Sequence, residues 1–283
     1  GTASIIVCNH QSMLDSAVFM ALSPKTILVS NSKVSRNKVI RKIYQWNGFI
    51  TLDDKNAIND ALIKDYIAHG YSLVVFPEGK RNDRSTISRF HKGAFLLAER
   101  YGLDIQPLII HGLNVVLPRN SFQVFTGSIT VKGYERVRQD GHTTYSEMTS
   151  RVHAFYKKEY ERLAREIETA AYFAPLVEDR YCYKGVEIYR SVHKNIKRND
   201  CFTRWIDTSE SSSAVLIKNN DHGEFALLYA LVHPSVLVTV LEEDESKRAL
   251  LTYCAKGIAD NLQVTDHVDM KEAEEAGIKI ISL

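Results

Sequence analysis

Four short apolar runs govern what this chain can fold into. Residues 5–8, 25–29, 72–76 and 105–110 are each four to six residues long and largely apolar. Such runs are too short for helices and too continuous for strands with one wet face, so they read as strands buried on both sides. Between them lie stretches with helical character: residues 12–21, the amphipathic basic stretch 33–46, residues 57–69 closed by Gly70, and residues 92–101 closed by Gly102. Residues 49–50 add a brief strand. Buried strands alternating with helices require a mixed or parallel sheet wrapped by helices. The fold class is α/β.

A chain of 283 residues has room for one large domain or two ordinary ones, and 45% apolar with 25% charged residues excludes a disordered, collagen-like or disulfide-scaffold protein. Residues 143–169 read as one long, heavily charged helix without Gly or Pro, and 186–197 as another, both expected to pack outside the first domain. The polar, serine-rich stretch 208–213 is the best linker, because the charge changes sign there. Residues 1–207 carry 30 Lys+Arg against 21 Asp+Glu; residues 208–283 carry 6 against 13. The expected domains are therefore 1–207 and 208–283, the second a run of βα units with strands at 214–218, 236–241, 262–265 and 278–282. The basic first part suits an anionic partner such as a phosphate, a nucleotide or an anionic membrane surface.

Cys8, Cys182, Cys201 and Cys254 are far apart, with no C-x-x-C pair, so neither a zinc site nor a disulfide framework is expected and a reducing compartment is the default. No signal peptide is visible at the start. The longest uncharged run, 225–241, is interrupted by His233-Pro234 and reads as helix, turn and strand rather than as a bilayer crossing.

The sharpest local signal is Asn9-His10-Gln11-Ser12-Met13-Leu14-Asp15, directly after a buried strand. On a continuous helix His10 and Asp15 would point about 140° apart, so they meet only if His10 sits in the turn before the helix. A carboxylate holding one ring N–H leaves the other nitrogen free to take a proton, which is the arrangement of a general base. The same residues also fit a plain helix start, Ser12-x-x-Asp15 being a capping box and His10 a turn residue. The second signal, Val74-Val75-Phe76-Pro77-Glu78-Gly79-Lys80-Arg81-Asn82, again ends a buried strand. Pro77 stops the ladder and Gly79 permits a tight turn, so Glu78, Lys80 and Arg81 project from the carboxyl edge where open α/β sheets bind ligands.

Together these residues resemble the glycerolipid acyltransferases, a family that includes the lysophosphatidate acyltransferases and is marked by N-H-x-S-x-x-D followed by F-P-E-G-x-R-S. Phe90-His91-Lys92-Gly93-Ala94 resembles the F-K-x-G-A stretch of the family, and Ile105-Gln106-Pro107-Leu108-Ile109 its last block. The resemblance covers about residues 4–135. It implies transfer of a fatty acyl group from an acyl thioester, coenzyme A or acyl carrier protein, to a lyso-glycerolipid such as 1-acylglycerol-3-phosphate. His10 is then the catalytic base and Asp15 its partner, while Glu78, Gly79, Lys80, Arg81 and Lys92 bind substrate. No resident cofactor, metal or nucleic acid is expected; the partners are the thioester donor, the lyso-lipid acceptor and an anionic membrane surface.

Two departures bear on the acceptor. Where the family usually has G-x-x-F-I-D-R, residues 47–54 contain no Arg, and Asn82 replaces the usual Ser. A phosphate would then be held by Lys80 and Arg81, with Lys33 or Lys92 as a third cation. The alternatives are a phosphate-free acceptor such as an aminolipid, or a catalytically weak lipid- or acyl-binding regulatory module. Only eight residues precede the His motif, fewer than in relatives. The chain is thus expected to be a fragment of a longer protein on the cytoplasmic side of a membrane, peripheral or anchored through segments outside this chain, with 33–46 suited to an anionic interface. Residues 215–224, with the acids Glu242, Glu243 and Asp244, resemble the opening half of a class I methyltransferase. The segment reads as a partial Rossmann-like unit in a structural or non-catalytic role.

Overall fold

The computed structural model describes residues 2–31, 50–52, 60–82, 86–118, 123–198, 200–208, 213–218 and 221–282. The expected helix 33–46, Lys33, most of the Arg-less stretch 47–54 and most of the serine-rich linker lie outside the described residues. The chain forms two compact units, Gly1–Val124 with Ser128–Ala164, and Phe125–Gly127 with Arg165–Leu283.

The first unit runs β1 (Ile5–Cys8), α1 (Asp15–Leu22), β2 (Thr26–Asn31), β3 (Ile50–Leu52), α2 (Asp60–Ala68), β4 (Ser72–Val75), α3 (Gly93–Tyr101), β5 (Ile105–His111), α4 (Leu113–Val116), β6 (Thr130–Gly133) and α5 (Tyr145–Ile167), the last reaching into the second unit. Its sheet has the order β3-β2-β4-β1-β5-β6, parallel except where β6 pairs antiparallel with β5. β1 lies between β4 and β5, and Ile5, Val7 and Cys8 are fully buried, as the continuous apolar run required. The pairs Ile5↔Leu73 and Val7↔Val75 end β1 and β4 at the same level, so the two turns that follow leave the same sheet edge as neighbours.

The long helix α5 is more than an outer cover. Met148, Val152, Tyr156, Tyr160 and Leu163 form one buried stripe at helical spacing. The Tyr156 hydroxyl donates to the Val7 carbonyl at 2.6 Å and accepts from the Leu108 N–H at 2.9 Å. It sits beside Pro107, which has no N–H to give, in a strand with neighbours on both sides. A proline is tolerated in an interior strand here because a side-chain hydroxyl takes up the ladder groups next to it.

The second unit holds α6 (Ala170–Tyr181), α7 (Val186–Arg198), α8 (Asp200–Thr208), β7 (Ala214–Lys218), α9 (Glu224–Val232), β8 (Leu237–Leu241), α10 (Glu245–Ala255), β9 (Leu262–Thr265), α11 (Met270–Glu275) and β10 (Lys279–Ser282). Its four strands are all parallel in the order β10-β7-β8-β9. The compact units divide at Ala164/Arg165 rather than at the expected 207/208, and the helix read at 186–197 belongs to the second unit. The reason is α9, in which every residue from Glu224 to Leu231 is buried. A helix apolar all round needs cover beyond one sheet face, and α6 and α8 supply it. Helix α6 escapes sequence reading because Pro175 lies inside it, where proline usually marks a break.

Tyr156→Phe removes the hydroxyl and leaves the Val7 carbonyl and the Leu108 N–H buried without it. The expected loss of stability is about 1–3 kcal/mol, read from the midpoint of urea unfolding; an unchanged midpoint would show that these groups find other partners.

Candidate active site

His10 lies in the turn between β1 and α1, and its Nδ1 is 2.5 Å from Asp15 Oδ2. A carboxylate offers only lone pairs, so Nδ1 carries the proton and Nε2 keeps its lone pair outward. The Asp15 side chain is fully buried and that of His10 is 24% exposed. The same Asp15 oxygen accepts the backbone N–H of Gln11 at 2.7 Å and of Ser12 at 3.0 Å. The general-base geometry is present, whereas the capping box is present only in its return half: Asp15 accepts the Ser12 N–H, but α1 starts at Asp15 with Leu14 at its N-cap and no side-chain cap, and Ser12 Oγ turns to the Leu117 carbonyl. The Asp15 carboxylate thus closes the turn before α1 and orients the imidazole. Behind the ring, Phe76 stacks on His10 at 4.4 Å between centroids.

The remaining polar residues of the first motif fasten this turn. Asn9 donates to the Ile110 carbonyl and accepts from the Ile110 N–H, both at 2.8 Å. Gln11 donates to the Tyr160 hydroxyl at 2.7 Å and accepts from the Leu113 N–H at 3.2 Å. Ser12 Oγ donates to the Leu117 carbonyl at 3.0 Å. All three residues are buried, and none stood among the expected site residues; Asn9 and Ser12 are fixed letters of the first motif, whereas Gln11 is signalled only as a polar residue next to an apolar strand.

Glu78 differs most from its expected task of holding substrate. Its carboxylate is buried, one oxygen accepting the His10 N–H at 3.0 Å and the other the Ser88 N–H at 2.9 Å. Both oxygens serve protein donors, so Glu78 fastens the second turn to the first. Gly79 is exposed with φ +66°, and a Cβ there would meet the His91 ring at 3.0 Å. Lys80 is exposed, and Arg81 is half-buried with no ion pair or hydrogen bond among the described residues. Lys92 stands at the start of α3, its ammonium 5.9 Å from the Tyr145 ring centroid. The structure thus joins His10, Asp15 and Glu78 by hydrogen bonds, puts Gly79, Lys80 and Arg81 on the adjoining turn, and directs Lys92 to an aromatic face.

Cys8 lies two residues before His10, at the end of β1. Burial first, then the charges of Asp15 and Glu78, push its thiol well above the ordinary range. It is unsuited to act as a nucleophile.

In the turn read as methyltransferase-like, the described polar groups bond within the protein. Gly223 has φ +92°, and a Cβ there would stand 2.5 Å from a Leu251 methyl, so the glycine serves helix packing. The Glu224 carboxylate accepts from Asn195 at 2.7 Å and from the His222 N–H at 3.1 Å. Glu242 accepts the Asp244 N–H at 3.0 Å, and Asp244 caps α10 through the Lys247 N–H.

Residues 1–111 match the family described as Acyltransferase. The chain is 26% identical over 163 residues to a 1-acyl-sn-glycerol-3-phosphate acyltransferase of Cocos nucifera, covering 55% of this chain and 53% of that protein. It is 28% identical over 124 residues to the chloroplastic 1-acyl-sn-glycerol-3-phosphate acyltransferase BAT2 of Brassica napus, covering 42% and 36%. A protein of the same name from Helicobacter pylori strain J99 is 28% identical over 170 residues, covering 57% and 71%. The chain thus spans about half the length of the first of these relatives. The crystal structure of the PlsC acyltransferase of Thermotoga maritima aligns at a TM-score of 0.49 and 21% identity over 57% of this chain and 66% of that one, too remote for any conclusion.

The shell around the site also titrates. His153 on α5 has Nε2 3.1 Å from the Ser88 carbonyl, and burial followed by the charge of Lys157 holds it below the ordinary imidazole value of 6.5. A base whose folded value is depressed adds stability above its unfolded value and loses it as pH falls toward the folded one. His153→Gln keeps a donor for Ser88 without the titration. Its unfolding free energy should therefore fall less steeply than that of the parent from about pH 7 to about pH 5; equal slopes in urea titrations would refute this. The family likeness, 1–111, falls on the segment that carries both strand-end motifs and stops where β5 ends.

Proposed function

We propose that this chain is an acyltransferase that moves a fatty acyl group from an acyl thioester, coenzyme A or acyl carrier protein, to the hydroxyl of a lyso-glycerolipid of the 1-acylglycerol-3-phosphate type. The observation that carries the reading is the pairing of a base with a vacant cation on neighbouring turns: His10 Nε2 has no partner among the described residues, and neither has the half-buried Arg81 guanidinium. A half-buried guanidinium without a carboxylate is suited to an anionic ligand such as phosphate. The likeness of residues 1–111 to the Acyltransferase family and the names of the relatives point the same way.

In this reading His10 Nε2 takes the proton of the acceptor hydroxyl as its oxygen attacks the thioester carbonyl. Asp15 stabilises the imidazolium that forms. Collapse of the tetrahedral intermediate breaks the carbon–sulfur bond, and the departing thiolate takes the proton from His10. The attack is direct: Ser12 Oγ is engaged with the Leu117 carbonyl, and the Cys8 thiol is buried and held protonated. Arg81 and Lys80 hold the acceptor phosphate, no resident cofactor takes part, and the reaction runs at an anionic membrane surface on its cytoplasmic side. Among the described residues no helix is long and apolar enough to cross a membrane.

His10→Ala should lower acyl transfer by about 10²–10⁴-fold; full turnover would refute the mechanism. Arg81→Ala should raise the acceptor KM roughly tenfold or more, since hydrogen bonds to a charged group are worth about 1.5–3 kcal/mol, and leave the thioester KM nearly unchanged. Lyso-phospholipid, lyso-aminolipid and aromatic hydroxyl acceptors should be compared against one donor. Preference for a phosphate-free acceptor would overturn the phosphate role of Arg81 while leaving acyl transfer intact.

A further inference from the structure

We infer that Asn82 is a positioning residue that sets the distance between the general base His10 and the phosphate-holding Arg81. The inference rests on the acyltransferase reading for its consequence and on hydrogen-bond geometry for its content.

The backbone of His10 is gripped from both sides. Its N–H donates to Glu78 at 3.0 Å, and its carbonyl accepts the N–H of Asn82 at 2.7 Å. Arg81 is the residue before Asn82, so one backbone hydrogen bond fixes where the chain bearing the guanidinium stands relative to the imidazole. The Asn82 side chain keeps that N–H in place. Its Nδ2 donates to the Thr86 carbonyl at 2.5 Å, lies 2.9 Å from Ser88 Oγ, and approaches the second Glu78 oxygen at 3.4 Å. That Glu78 oxygen also accepts the Ser88 N–H. One carboxamide therefore joins the carbonyl of Thr86, the hydroxyl of Ser88 and the carboxylate that holds His10.

An acceptor bridging both groups must span from the phosphate on Arg81 to the hydroxyl on Nε2 with a fixed number of bonds. A small change in that span misaligns the attacking oxygen. Water has no phosphate to anchor, so thioester hydrolysis at His10 is indifferent to it. Serine at this position could donate only one hydrogen bond and has a shorter reach, whereas the carboxamide has two N–H groups for three acceptors.

The test compares the parent with Asn82→Ala, Asn82→Ser and Asn82→Asp. Rates are measured for acyl transfer to 1-acylglycerol-3-phosphate and for hydrolysis of the same thioester, alongside hydrogen exchange at the residue 82 amide. Asn82→Ala should speed exchange at that amide roughly tenfold or more while β1 amides keep their protection. It should also lower transfer at least tenfold relative to hydrolysis, with thioester KM unchanged. Asn82→Ser should recover part of both effects. Asn82→Asp, which faces Glu78 and the Thr86 carbonyl without a donor, should recover neither. Equal loss of transfer and hydrolysis, or an unchanged exchange rate at residue 82, would overturn the inference. If the parent itself acylates no phosphate-bearing acceptor, the proposed substrate falls and the role of Asn82 as a spacer falls with it, whereas the exchange result still reports whether the side chain holds the turn.

Discussion

The parallel pairing of β1 with β4 is the constraint on which the rest of the first unit depends. Residues 68 positions apart in sequence, His10 and Glu78, can share a hydrogen bond only because the strands before them end at the same level. A shift of one residue in that register would turn the side chains of one of the two strands to the opposite face and move the two turns out of level. The intervening β2 and β3 lie on the far side of β4, which leaves β1 central and buried between β4 and β5.

The site divides its charged groups by task. Asp15 and Glu78 are buried, and buried carboxylates are tolerable only when donors surround them. Here backbone N–H groups of Gln11, Ser12, His10 and Ser88 provide those donors. Accepting these N–H groups lets the two carboxylates also fix the turns, while Asp15 Oδ1 stays buried without a hydrogen-bond partner among the described residues. What remains for a ligand is the outward nitrogen of His10 and the cations Lys80 and Arg81 on the adjoining turn. The helix α5 reinforces the same edge from outside the motifs, Tyr160 meeting Gln11 and Tyr156 bridging β1 to β5.

The second unit is organised by a different demand. Its central helix α9 carries no wet face, so helices from before the expected boundary are drawn onto it. The one glycine of the turn after β7 is required by Leu251, and the acid that follows it is held by Asn195 and the His222 N–H.

The sequence by itself determined the α/β class, the buried strands, most helices and the two strand-end motifs, because hydrophobic periodicity, Gly and Pro act over a few residues. It also limited His10 and Asp15 to meeting across a turn, since helical geometry forbids anything else at that spacing. Sequence could not reveal that Glu78 turns back to the His10 N–H instead of outward, that Tyr156 mends the ladder beside Pro107, or that Asn82 ties its turn to His10. Nor could it place the division of the chain within α5, because the serine-rich stretch marks where polarity changes and not what α9 must bury. These were decided by tertiary structure alone: each depends on which unsatisfied donor, acceptor or apolar face lies opposite, and that is fixed only once the strands have paired.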